Sequence, residues 1–469
     1  MSVPVVDRNG YPAEAFHPQV ALIGNGPHEK VTKLTTSQTG DIILCPLDRL
    51  EAFSWTPILF PFENINNEDN FMSDDQMIAA LQKLIERVPV VTGHLERIDK
   101  TPVIFEGPNS PLKVCVGTRS VWYTSAKLKG SFQSFKDSSF SYEHLDPNYV
   151  FRAANDAIIE GKDYPLLTAK VNRFECGSVL LLVTACHLIV DARSMYEFVK
   201  SWGLIYRGID NEPLVTESRH LFSYDDELNE RTRPIHAMFD GIAKQTPAPF
   251  KTTKLVHVSI DDQKMKAIKE KINSELTPDW VSSDDVMVAL GWRIFTRAKE
   301  LKPTDSNLLV RIYDIRKLNQ PPLPMTSFSN GVSAAITGMI PVCTILDSPL
   351  SELCKLVRTA TTRKTPQDIR DELSALAKVQ FLDHPPGGNC IPYSNNVFSS
   401  SYAGFHPSKL NFHNSPALTV TRACLTEGIV APQPIINGKY SCKLSIDSTL
   451  SEKFINDPEL VSLGFTLEL

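Results

Sequence analysis

The stretch Val179-Leu-Leu-Leu-Val-Thr-Ala-Cys-His-Leu-Ile-Val-Asp191 constrains this chain more than any other. Its wealth of Val, Ile and Leu favours a strand over a helix. One imidazole, His187, sits in the run, and a carboxylate, Asp191, follows four residues later. Burying a histidine is tolerated only where both ring nitrogens find partners. An imidazole also titrates near neutrality, which suits it to general-base work. Ser194-Met-Tyr-Glu197 then reads as a helix start. The segment is thus expected to be a strand that delivers a histidine to its end, a tight loop and a capped helix.

A chain of 469 residues is too long for one ordinary core and long enough for two domains. With 42% hydrophobic and 22% charged residues, it is expected to be globular. A net charge of -6 and the lack of any Lys/Arg-rich tract argue against nucleic-acid and membrane partners. The longest apolar stretch, near residues 178–191, is too short to span a bilayer. No basic segment followed by an apolar one opens the chain, so a secretory signal is not expected. Nine scattered cysteines without a CxxC pair read as reduced thiols of a cytoplasmic protein.

The periodicities place helices over 73–87, 194–207, 261–274, 282–298 and 350–364, with a last one near 451–457. Strands are expected over 102–106, 113–116, 166–174, 178–189, 254–260, 308–313 and 332–339. The proline-punctuated polar segment 226–250 reads as a crossover between an N-terminal domain, 1–225, and a C-terminal domain, 251–469. Stretches 118–145 and 366–395 read as loops. Mixed helices and strands in both halves imply an α/β or α+β sandwich.

From spacing alone, His187 and Asp191 are as well explained by a satisfied core histidine and a loop aspartate as by a site. A metal is not expected, because no second histidine lies at ligand spacing and a strand does not stack residues four apart. A serine hydrolase is disfavoured by the absence of a GxSxG elbow.

The wider pattern is more specific. Pro165-Leu-Leu, Cys176-Gly, His187-xxx-Asp191, then Ser194, Phe198 and Trp202, resembles the BAHD superfamily of acyl-CoA-dependent acyltransferases, and in particular its fungal natural-product members. Pro46-Leu-Asp-Arg49, Ser282-Ser-Asp-Asp-Val-Met-Val-Ala-Leu-Gly-Trp292, Asp314-Ile-Arg316, Pro321-Pro-Leu-Pro324 and Phe328-Ser-Asn330 continue it in the family's order. Two departures stand out. Ala192 replaces a glycine, and the family's DFGWG signature is reduced at Asn411-Phe-His-Asn-Ser415 to its phenylalanine.

The resemblance implies an α/β fold of two similar-sized chloramphenicol-acetyltransferase-like domains with a channel between them. It implies His187 as general base, acyl-CoA as co-substrate, a small-molecule acceptor, no tightly bound cofactor and a monomer. Asp191 would pair with Arg316 as structural support. Ser401, Tyr402 and Asn330 would meet the oxyanion or substrate, while Ser282 and Ser283 would meet coenzyme A. Rivals are a peptide-synthetase condensation domain, in which Cys186 stands in place of a histidine, a repurposed member catalysing CoA-independent cyclisation or isomerisation, and a non-catalytic binder.

Overall fold

The computed structural model describes residues 31–50, 55–98, 112–141, 165–209, 213–216, 218–225, 227–243, 253–379, 395–422 and 427–468. The central strand Val179–Cys186 is buried at all of its positions. It lies between Leu167–Arg173 and Trp55–Phe62, antiparallel to both. An unbroken apolar strand needs cover on both faces, and it has it. Leu181, Val183 and Ala185 join the core built with Phe198 and Trp202 of helix Ala192–Tyr206 and Met77, Leu81 and Leu84 of helix Asp74–Arg87. Leu180 and Leu182 face Phe132, Phe135 and Phe174 on the other side. Val31–Leu34 and Val121–Lys127 extend this six-stranded sheet at one end, and Thr421–Arg422 closes the other.

The second half is built on a seven-stranded sheet. Its order is Val332–Ile336, Leu309–Asp314, Val397–Ser400, Ile429–Pro432, Lys439–Asp447, Thr253–Asp261 and Thr466–Glu468. Helices Asp262–Leu276, Ser283–Ala298 and Leu350–Thr362 bury their apolar stripes on one face. Trp202 and Trp292, at 0% exposure, are core residues.

Several loop readings change. Half of the 226–250 crossover is helix Thr232–Ala243, and 366–395 begins with helix Pro366–Lys378. The prolines misled there: Pro234 and Pro366 stand in first turns, where a missing N–H costs nothing. Thr365 and Asp368 form a capping box at the second helix. Stretch 118–145 contains strand Val121–Lys127 and helix Phe132–Asp137. The strand expected over 102–106 lies outside the described residues.

The halves also exchange chain. Thr421 pairs with Leu59 and Arg422 with Ile58, so a segment from the C-terminal half forms the edge of the N-terminal sheet. Just before it, Asn411–Phe412 and Ser415–Pro416 form a small hairpin at the reduced DFGWG position. Its turn residues, His413 and Asn414, both have positive φ, which matches the twist of a two-residue hairpin. The retained Phe412 is fully buried and meets Phe62, Trp202 and Tyr206 edge-on at 5.4–5.5 Å.

Gly203 allows that hairpin to approach the helix: a Cβ there would lie 2.5 Å from Asn411 O. Gly203→Ala would gain helix propensity yet overpack this contact, at a cost of about 1–3 kcal/mol. The expected outcome is a lower melting temperature in calorimetry; a higher one would contradict the close approach.

Candidate active site

The strand ends at Cys186, and His187 opens the turn that leads to Asp191. From Ser178 to Asp191, His187 is the single position that is not buried. The apolar run therefore seals everything around one imidazole-bearing residue and leaves that one half-buried, with Nδ1 turned inward. Its backbone is fixed: Asn330 Nδ2 donates to His187 O at 2.7 Å, and Arg219 Nη2 to Ile189 O at 2.5 Å.

Asp191 caps helix Ala192–Tyr206 by accepting from Ser194 N at 2.8 Å. Its other oxygen accepts from Gly331 N at 2.8 Å. Arg316 Nη2 reaches both carboxylate oxygens, at 3.1 and 2.9 Å, and donates to Ser329 O at 2.8 Å. Burial would push the Asp191 carboxyl up, but the Arg316 charge and the two backbone N–H groups hold it below the ordinary range. Asp314 also bonds Arg316, through Nη1 at 3.0 Å. There burial, aided by the Asp191 charge, outweighs the pairing and raises the carboxyl. One guanidinium thus serves two carboxylates, and Asp191 holds the better position. Gly331 makes room for it, since a Cβ would stand 2.6 Å from Arg316 Cζ.

Asp48 anchors a second buried cluster, which sequence reasoning did not find. It accepts from Asn330 Nδ2 and Arg219 Nε, each at 2.9 Å. Its place in Pro46-Leu-Asp48 was the available signal; Arg219 carried none. Asn330 is fully buried, and its Nδ2 donates to Asp48 and to His187 O.

The other expected contacts form a separate group. Ser282 caps helix Ser283–Ala298 in a capping box with Asp285. Ser401 Oγ donates to Asp284 Oδ1 at 2.6 Å on the same helix turn, so its hydrogen is already engaged. Tyr402, at 2% exposure, packs edge-on against Phe405. A cleft of about 410 Å³ is lined by Lys269, Trp280, Ser282, Ser283, Ala403 and Gln433, among others. Ser282, Ser283 and Ser401 are brought together around this cleft wall; His187, Asp191, Arg316 and Asn330 are brought together around the turn.

Among the described residues, His94, Glu96 and Cys115 could gather ligand atoms for a metal, but on the separate three-stranded sheet Gly40–Ile43, Leu112–Val116 and His94–Arg97. Lys113 Nζ already lies 2.8 Å from Asp41 and 3.5 Å from Glu96. Burial and the Glu96 carboxylate push the Cys115 thiol up to about 12, keeping it protonated.

A profile of the Transferase family matches residues 30–402. The chain belongs to this family of BAHD-type transferases. Among curated relatives it is 26% identical over 297 residues, 61% of either chain, to the 3'-N-debenzoyl-2'-deoxytaxol N-benzoyltransferase of Taxus canadensis. It is 28% identical, over 46% of this chain and 48% of the other, to the omega-hydroxypalmitate O-feruloyl transferase of Arabidopsis thaliana. The chain thus spans about half to three-fifths of the length of these relatives. Among solved structures, TRI101 of F. sporotrichioides complexed with coenzyme A and T-2 superposes with a TM-score of 0.71 at 17% identity, covering 90% of this chain and 98% of that one. Vinorine synthase gives 0.65 at 15%, covering 93% and 98%. The two-domain chloramphenicol-acetyltransferase-like fold of the BAHD transferases is therefore that of this chain.

Within this BAHD fold, Asp191 contributes stability above the ordinary carboxylate range, near pH 4, and loses it as pH falls through its depressed pKa. Asp191→Asn should cost about 3–5 kcal/mol at pH 7, because it leaves Arg316 buried beside a neutral partner. The melting-temperature gap to the parent should narrow in acid. A gap that stays constant down to about pH 3 would contradict the ion pair's role.

Proposed function

We propose that this chain transfers an acyl group from acyl-CoA to a hydroxyl or amine of a specialised metabolite, with His187 as general base. The observation that carries the reading is the partial exposure of His187 just past the end of an otherwise sealed strand. The curated relatives' names include N-benzoyl, O-feruloyl and O-acetyl transfer, so the acceptor is assigned only as hydroxyl or amine.

In this mechanism the acceptor attacks the thioester carbonyl while the imidazole removes its proton. The tetrahedral intermediate then expels the thiolate, and the same proton passes from the imidazole to sulfur. No residue is acylated. The cleft over helix Ser283–Ala298 is the proposed coenzyme A entry. The Lys269 ammonium and helix N-terminal N–H groups suit phosphates, and the Trp280 indole, 57% exposed, offers a face for a nucleobase. The channel from there to His187 is part of the proposal, as is action by a monomer in the cytoplasm without a tightly bound cofactor. The free cysteines Cys45, Cys115, Cys176, Cys186, Cys343, Cys354 and Cys442 support a reducing compartment. No described helix is long and apolar enough to cross a membrane.

The reduced DFGWG signature is also compatible with a CoA-independent cyclisation. The hairpin there keeps its buried phenylalanine, so the local packing survives the loss of the other signature residues.

Incubation with an acyl-CoA panel and an acceptor library should release free thiol only when both substrates are present. His187→Ala should lower kcat by about a hundred- to ten-thousand-fold while the protein remains folded. Thiol release that survives this substitution would exclude His187 as the base.

A further inference from the structure

We propose that Asp48 is a positioning residue for His187, acting through Asn330 and Arg219. The inference deepens the reading above, since it assumes that His187 is the base. Asp191 steadies the far end of the turn, but the near end, where the imidazole is attached, hangs on the Asp48 cluster. Asp48 Oδ1 accepts from Asn330 Nδ2 at 2.9 Å and from Asn330 N at 3.3 Å. Its Oδ2 accepts from Arg219 Nε and from Cys45 N, each at 2.9 Å. The two side chains held this way then bond the turn itself, at His187 O and Ile189 O.

Asp48 and Asn330 are fully buried and Arg219 is 4% exposed, so water does not readily replace any of these bonds. The Asn330 amide is also oriented without ambiguity. Its Nδ2 faces two acceptors, Asp48 Oδ1 and His187 O, and a reversed amide would set oxygen against oxygen twice. Arg219 Nη1 further donates to Phe328 O at 3.1 Å, fixing the guanidinium plane. One carboxylate therefore orients two donors, and the donors fix two carbonyls of the histidine turn.

Neither clamp residue lines the cleft proposed for coenzyme A. Loosening the clamp should therefore misplace the imidazole without weakening donor binding. Displacement of a reacting group by about 1 Å can cost about a hundredfold in rate. The expected signature is a fall in kcat with little change in KM for acyl-CoA.

The test compares Asn330→Ala and Asp48→Asn with the parent and with His187→Ala. Three measurements apply to the folded fraction: kcat and KM, melting temperature, and the carbethoxylation rate of His187 with diethyl pyrocarbonate, followed by peptide mass spectrometry. Asn330→Ala should lose about ten- to a hundredfold in kcat, keep its KM and alter the modification rate. If Asp48→Asn does not fold, Asn330→Ala alone decides. Parental kcat and parental modification rate in folded Asn330→Ala would overturn the inference. If His187→Ala retains full activity, the functional reading fails instead, and the modification rate, which needs no turnover, still decides whether Asn330 positions the ring.

Discussion

A guanidinium with no solvent exposure joins the two halves of this molecule, and the histidine turn depends on it. Arg316 belongs to the C-terminal half and Asp191 to the N-terminal half, and the pair is buried on both sides. A buried charge is tolerable only when it is paired and its hydrogen bonds are met. Arg316 is paired with two carboxylates and donates to the carbonyls of Ser327 and Ser329, while among the described residues its buried Nε finds no acceptor. Asp191 simultaneously caps helix Ala192–Tyr206. A single carboxylate thus fixes where the turn ends, where the helix begins and how the halves meet.

The Asp48 cluster works from the opposite side with the same economy. Its members come from three distant places: helix Pro46–Leu50, the short helical turn Arg219–Leu221 and the segment leading into strand Val332–Ile336. Beside it, Cys45, Leu47, Phe222, Ile315, Leu323, Ile369, Leu373 and Leu376 form one apolar cluster that excludes water from the polar bonds. Asn330 and Gly331, adjacent in sequence, serve the two clusters separately: Asn330 bonds Asp48 and His187 O, while Gly331 N bonds Asp191.

What the sequence made legible follows from the range of each signal. The strand, turn and helix around His187 are specified by local pattern and capping, and they lie within two or three residues of the expected bounds, the strand ending at Cys186 rather than Ile189. The Arg316 partnership was accessible through family resemblance, because the motifs that carry it are contiguous. Arg219 and the role of Asn330 were not legible, since these residues lie 171 and 282 positions from Asp48, and Asn330 lies 143 from His187. No periodicity encodes such a pairing. Helix Pro366–Lys378 was hidden for a different reason: a proline and polar capping residues at its start imitate loop composition.

Chain exchange adds a mechanical consequence. Thr421 and Arg422 complete the N-terminal sheet, Phe412 plugs the contact between strand Trp55–Phe62 and helix Ala192–Tyr206, and Arg316 pins the turn. Sliding one half past the other would strip an edge strand, expose an aromatic plug and leave a buried charge unpaired at the same time. Each of these alone costs several times thermal energy. Rigid-body opening between the halves is therefore expensive. Conformational adaptation near the histidine turn has to come from segments that carry none of these anchors, and the imidazole stays in register with both halves while they change.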